Sequence, residues 1–428
     1  NPSYHDKIEF DIIFSCYTFD TKKDLQKLKN FNFTNIEINK ISKSLLNLTN
    51  SLLCNKSKLW KNDLEKIKIL EQKFNLITKS NLDNYAKIYW LIEDCKRYGT
   101  LPFAGLARSA FVSVEILKSF LNQKLISTKD YHSFLSTINT ISSSLIKDFN
   151  QLNKKEFINK YGHLRPGTYD ILSKSYKEGF EEYFKWTEKK NINNKNKFSF
   201  SKKQINNINI LLKKSNINIS ANDLIKFIKN SIEAREYAKF MFTKNVNEIL
   251  SIYTNICKEK GISKDDSAYT HIGSVISLNS VITNSKKILK ASIERRKKRY
   301  EYTKLVNLPN LICHHNDVFS FYESDSAPNY ITQKNVVANV VKINSNQLSK
   351  NMNNKIVLIE SADPGYDWVF SHTIAGLITK YGGANSHMAI RASELNIPSV
   401  IGAGPLYDEL INANKIEINT IEKKVFII

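Results

Sequence analysis

The hydrophobic period of this chain changes near residue 320, and that change divides what it can fold into. From about 46 to 310, apolar residues recur at three- and four-residue steps, the period of an amphipathic helix. Beyond 320 the apolar runs become short and β-branched, at 336–343, 356–359, 398–401 and 425–428. Short helical patterns at about 366–378 and 387–395 lie among them, an alternation expected of a compact α/β domain. The polar stretch Tyr322-Glu-Ser-Asp-Ser-Ala-Pro328 between the two regions reads as a linker. The expected fold is multidomain: a mainly α-helical domain over 46–319, a hinge linker over 320–332 and a small α/β domain over 333–428. Residues 1–45, with a strand-like 7–16 and a helical 21–29, read as the edge of a preceding domain. The chain opens at Asn1 without a Met, so a fragment or processed product is expected.

Within the helical region, Ser127 with Asp130 three residues on suits a helix start. Phe134, Leu135, Ile138, Ile141, Leu145 and Phe149 then form one apolar stripe. A second helix is expected over about 222–258, stopped by Gly261, with loops and one short helix over 187–219. No run of 18 or more apolar residues occurs, so no membrane span is expected, and no signal peptide pattern is present at the start. Cys16, Cys54, Cys95, Cys257 and Cys313 are scattered without a close pair, which excludes a zinc ribbon and suits a reducing cytoplasm. The net charge of +22 invites a nucleic-acid reading, yet the excess Lys is spread along the chain with Asn and Ile. The basic run Arg295 to Arg299 reads as a solvated helix face, and no nucleic-acid partner is expected.

The chemistry concentrates in Thr379-Lys-Tyr-Gly-Gly-Ala-Asn-Ser-His387 and the helical stretch after it, which ends at Asn396-Ile-Pro398. Gly382 and Gly383 make a tight turn with nothing blocking approach to the backbone. Ser386 suits the cap of the following helix, placing His387 in its first turn. A phosphoryl group on that imidazole would meet unpaired backbone N–H groups and the positive end of the helix dipole. Arg391, one turn later, falls on the same face as a phosphate partner. Neutral imidazole is nucleophilic at ordinary pH, so His387 is the candidate covalent carrier, with Thr379, Gly382, Gly383, Ser386 and Arg391 around it.

This stretch resembles the swivelling phosphohistidine domain of the family of phosphoenolpyruvate synthase and pyruvate phosphate dikinase, from about 331 to 428. Asp363-Pro-Gly-Tyr-Asp-Trp368 is similar to that family's loop before the first helix. The resemblance implies that His387 takes phosphate from ATP on an ATP-grasp domain, releasing AMP and phosphate, and swings to deliver it. It departs at Ser393, where the family's pattern has an Arg six residues after the His. ATP and Mg2+ would be held by that N-terminal ATP-grasp domain of the same polypeptide, a core not recognised in this chain.

Because the chain stops at Ile428, the acceptor site is expected in the helical region. That order resembles the rifampin phosphotransferases and the L-glutamine kinases of capsule biosynthesis. Tyr161-Gly-His-Leu-Arg-Pro-Gly-Thr-Tyr-Asp170 is similar to a segment of such dikinases, and gives His163, Arg165, Tyr169 and Asp170 as candidate substrate-binding residues. Arg97 and Arg108 flank a Gly- and Pro-bearing turn expected to join two helices. Gly-Gly-Ala-Asn-Ser-His-Met-Ala-Ile-Arg is most similar to the glutamine kinase branch, while Glu233-Ala-Arg-Glu-Tyr-Ala-Lys-Phe240 is shared more broadly. The resemblance implies L-glutamine as acceptor, phosphorylated on its amide nitrogen for capsular phosphoramidate. Asp170 or His163 is then the candidate base and Arg165 the candidate partner of the α-carboxylate or the phosphoryl charge. The alternatives are the same mechanism with pyruvate or an ansamycin, or a pure phosphocarrier. His314-His315 with Asp317 lacks further ligands, so no metal site is expected.

Overall fold

The computed structural model describes residues 14–53, 59–184, 186, 198–279, 284–306, 308, 312, 314–320, 327–343, 351–383 and 386–428. Three long helices make the centre of the helical part: α1 (Leu59–Lys79), α2 (Asn84–Asn122) and α3 (Ala221–Glu259). Small buried residues, Ser109, Ala110 and Ser113 on α2 and Ser231, Ala234 and Ala238 on α3, let these two pack closely. The hydroxyls of Ser113 and Ser231 satisfy each other at 2.7 Å, which removes the cost of burying them. α3 matches the expected helix: the Ser220 hydroxyl accepts from the Asp223 N–H at its start, and Gly261 follows its end in the left-handed region, at φ +64°.

The turn expected between Arg97 and Arg108 does not break the helix. α2 runs on through a π-helical turn at Cys95–Thr100, where the Leu101 N–H reaches the Lys96 carbonyl five residues back. The wider turn accommodates Pro102, which has no N–H for a regular helical bond. It also seats Gly99 so tightly that a Cβ there would lie 3.0 Å from Cβ of Phe242 on α3. By length and composition α2 could cross a bilayer, but half of its most apolar stretch is buried, and it packs on α1 and α3.

The stripe from Phe134 to Phe149 belongs to two helices, Thr128–Ser136 and Ile141–Gln151. Ser127 and Asp130 form the expected capping box, but Thr140 caps a second start by accepting from the Ser143 N–H. In the 187–219 region, helix Lys202–Lys214 is longer than expected, and 187–197 lie outside the described residues. Most of the strand-like 7–16 also lies outside them; Cys16 and Tyr17 are buried with Leu45, Val112 and Phe120. The expected helix at 21–29 is Thr21–Leu25, continued as a 3-10 turn, Gln26–Phe31.

The C-terminal α/β part is a seven-stranded sheet in the order β1-β5-β4-β3-β2-β6-β7. Its strands are β1 (Asn329–Ile331), β2 (Asn335–Lys342), β3 (Ile356–Ser361), β4 (Gly376–Tyr381), β5 (Ser399–Ile401), β6 (Lys415–Asn419) and β7 (Lys424–Ile427). Strands β2 to β5 are parallel, and the continuous apolar run Ile356 to Ile359 is buried, as a strand covered on both faces requires. Of the expected linker, 321–326 lie outside the described residues, and Asn329–Ile331 is already a strand paired antiparallel with β5. The helical pattern at 366–378 resolves into a 3-10 segment, Pro364–Ser371, and then β4. Trp368, Val369, Ile374 and Leu377 imitate a helical stripe because the segment and the strand bury into the same core. That core crosses the junction: Tyr161, Tyr176, Tyr183 and Ala238 of the helical part share it with Trp368, Val369, Met388 and Ala389.

Candidate phosphohistidine site

The end of β4 and the start of α4 (His387–Glu394) build the site. Thr379 is fully buried; its hydroxyl donates to the Tyr381 carbonyl and accepts from the Gly402 N–H, both at 3.0 Å. It therefore ties the end of β4 to the chain after β5. Gly382 has a φ of +133°, and a Cβ there would sit 2.6 Å from Cβ of Ala362. Only glycine makes this turn without strain. The Gly383 carbonyl accepts from the Ser386 N–H at 3.0 Å, closing the loop onto the helix start.

Ser386 occupies the N-cap with extended backbone, but its hydroxyl makes no capping bond. That is a departure from the expected side-chain cap, and the hydroxyl is buried without a partner among the described residues. Arg391 is buried as well; its Nη1 pairs with Glu394 and its Nε has no partner among the described residues. In the first turn of α4, the Ile390 N–H is the first to bond back, to the Ser386 carbonyl.

His387 Nε2 lies 2.7 Å from Asp367 Oδ1, with the two side chains 17% and 7% exposed. Burial pushes the imidazole toward its neutral form, but the charge and hydrogen bond of Asp367, with the charge of Glu236, outweigh it. Arg391 opposes them, and the net effect is a pKa above the ordinary value. His387 is thus held toward its charged form against a carboxylate on the 3-10 segment, with a smaller contribution from the charge of a carboxylate on α3.

The acceptor-side candidates separate into two groups. Arg165 is buried, and its guanidinium is already engaged: Nη1 donates to the carbonyls of Asp170 and Ser173, at 3.3 and 3.0 Å, and Nη2 to Asn247 Oδ1 at 2.5 Å. It organises the loop that the α/β part touches. Asp170 is exposed, and its Oδ1 accepts from the Leu172 N–H. His163 packs edge-on against Phe240 and its Nε2 bonds the Phe240 carbonyl at 3.0 Å. Burial, then the charge of Lys244, pull its pKa down to about 3, so it is a neutral ring poorly suited to hold a proton taken from an acceptor. Tyr169 is 66% exposed and so stands open to solvent at this loop. Arg97 is exposed on the π turn and pairs with Glu93; Arg108 is exposed further along α2 with no polar partner among the described residues.

Three groups that the sequence reading did not single out matter here. Asp367 orients His387, the charge of Glu236 on α3 acts on it, and Arg235 beside Glu236 stacks on Phe111 with a buried Nε that has no partner among the described residues. Asp367 and Glu236 stood in quoted segments, but only the fold brings them to the ring. His314 and His315 stack at the start of a 3-10 turn, where Asp317 accepts from the His314 N–H. Among the described residues no group of three His, Cys, Asp or Glu side chains is arranged to hold a metal.

Residues 352–422 match the family model described as "PEP-utilising enzyme, mobile domain". The match supports a member of the PEP-utilising enzyme family. It covers β3 to β6 with α4, and so includes both His387 and Asp367. It points to phosphohistidine-based phosphotransfer, the activity of a transferase. A comparison with curated proteins returned no match.

Proposed function

We propose that the chain carries a phosphoryl group on His387 and delivers it to a small acceptor held by the helical part, with L-glutamine as the acceptor and its amide nitrogen as the receiving atom. The carrying observation is the placement of His387 at the start of α4, bonded to Asp367 and within the field of Glu236 on α3. Delivery breaks the P–N bond to the imidazole and forms a P–N bond to the amide, whose proton passes to a base. Glu236 is the carboxylate of the helical part whose charge reaches the ring, and takes that role in preference to His163 or Asp170. Ser386 Oγ and Arg391 Nε, both buried and unpartnered among the described residues, are the donors suited to phosphoryl oxygens.

In this proposal ATP and Mg2+ are ligands of an ATP-grasp domain, and the protein is cytoplasmic. The domain limits 46–319 and 333–428, with a hinge between them, form part of the same reading. Calorimetric titration with L-glutamine, with L-glutamate and pyruvate as controls, tests the acceptor. Selective binding of L-glutamine, weakened at least tenfold (about 1.4 kcal/mol) in Glu236→Gln, is expected. Equal binding of all three, or of none, would remove L-glutamine from the proposal.

A further inference from the structure

The 3-10 segment Pro364–Ser371 carries two kinds of contact at once. On one side it seats the α/β part on the helical part. A Cβ on Gly365 would lie 2.2 Å from the Arg165 carbonyl oxygen and 2.5 Å from Cα of Pro166. The Tyr176 hydroxyl donates to the Gly365 carbonyl at 2.9 Å, and the Trp368 ring packs 5.1 Å from that of Tyr183. At the end of the segment, His372 Nε2 bonds the Tyr183 carbonyl at 3.3 Å. On the other side, the same segment presents Asp367 to His387 at 2.7 Å. Asp363 fixes the start by accepting from the Gly365 N–H at 2.7 Å, so little slack separates the seat from the carboxylate.

We propose that Asp367 is a positioning residue for delivery of the phosphoryl group rather than for its loading, and that contact with the helical part sets its aim. The inference rests on reading His387 as the carrier. When the P–N bond breaks, the electron pair stays on the ring nitrogen that held phosphorus; the ring leaves as neutral imidazole when its other nitrogen, Nε2 beside Asp367, carries a proton, which makes the phosphorylated ring a cation. Asp367 supplies the opposite charge at hydrogen-bond distance, reinforced by Glu236 of α3 and opposed by Arg391 of α4. During loading the requirement reverses, because the attacking ring must be neutral. A carboxylate that favours the charged ring belongs to the seated, delivering position. It is placed by Gly365, which leaves no room for a side chain at the seat.

The test uses the full chain and a small phosphoryl donor, inorganic phosphoramidate, whose P–N bond breaks as the P–N bond to histidine forms and ammonia leaves. Phosphohistidine is followed by 31P NMR during loading and, after donor removal, during discharge to water and to L-glutamine. The His387 ring is titrated separately by NMR. In Asp367→Asn we expect loading at least as fast as in the parent, discharge slowed about tenfold, and a lowered ring pKa. Asp367→Glu restores discharge, and Gly365→Ala copies Asp367→Asn. A variant that had merely lost its structure would slow both phases. Parent-like discharge in Asp367→Asn, or an unmoved ring pKa, overturns the proposal while leaving the carrier intact. A parent that accepts no phosphate on His387 removes the carrier reading and this inference with it.

Discussion

His387 and His163 lie on opposite sides of one junction, and their surroundings push them in opposite directions. His387 is half-buried beside Asp367, with the charge of Glu236 adding to the effect, and its pKa rises. His163 is half-buried against Phe240 with the charge of Lys244 acting on it, and its pKa falls to about 3. The arginines differ only in part: Arg165 has both Nη atoms bound to protein acceptors and Arg391 has its Nη1 paired with Glu394, while the Nε of each is buried without a partner among the described residues. The difference that remains separates a loop scaffold, tied through its own carbonyls by Arg165, from a candidate reactive side whose histidine is held toward positive charge.

Removing the carrier gives the largest expected effect. His387→Asn abolishes 32P labelling of the chain, and labelling that persists would place the phosphoryl group elsewhere. Next comes Arg165→Ala, which strands two carbonyls and Asn247 in a buried setting and lowers unfolding stability by about 3 kcal/mol in urea titrations. A stable Arg165→Ala that only lost acceptor binding would move Arg165 from the scaffold to the reactive side. Gly382→Ala, forced into φ +133° against Ala362, costs about 2 kcal/mol by the same assay and reduces labelling. An unperturbed Gly382→Ala would mean that the turn has room to relax.

The smallest effects are slopes of stability with pH. The raised pKa of His387 stabilises the fold fully below the ordinary value near 6.5, and that contribution is lost as pH rises through the folded-state pKa. The lowered pKa of His163 acts the other way: its contribution is present above 6.5 and is lost as pH falls toward 3. His387→Asn should therefore flatten the alkaline side of a stability–pH curve and His163→Phe the acid side. Slopes of the same sign for both would dissolve the contrast between the two regions.

Much of this was legible along the chain because it depends on near neighbours. The start of α3 at Ser220, the capping box at Ser127, the glycine turn at Gly382 and the placement of His387 at a helix start are all set within a few residues. The misreadings have a different origin. The run 366–378 carries a helical spacing, yet Gly376 lets β4 in between β3 and β5, an outcome decided by strands remote in sequence. Thr140 restarts a helix inside an unbroken apolar stripe, and the π turn keeps α2 whole where Gly99 and Pro102 suggested a break. The Asp367 to His387 bond spans twenty residues and a strand, so no local pattern announces it. Ser386 had the right residue type for a cap, but its hydroxyl is not used as one.

The π turn in α2 also limits how this helix can change in length. A π turn is one extra residue accommodated in a helix, so deleting Gly99 would restore a regular ladder at no cost in backbone hydrogen bonds. The later side chains would keep close to their present phase about the axis, because the wider turn already takes up the rotation of the extra residue. Leu106, Ala110, Ser113 and Leu117 would stay on the buried face, and the hydroxyl pair with Ser231 would survive. A deletion in the regular part of α2 would instead turn every later residue by about 100°, so the bulge is the one place where this helix can lose a residue and keep its register with α3.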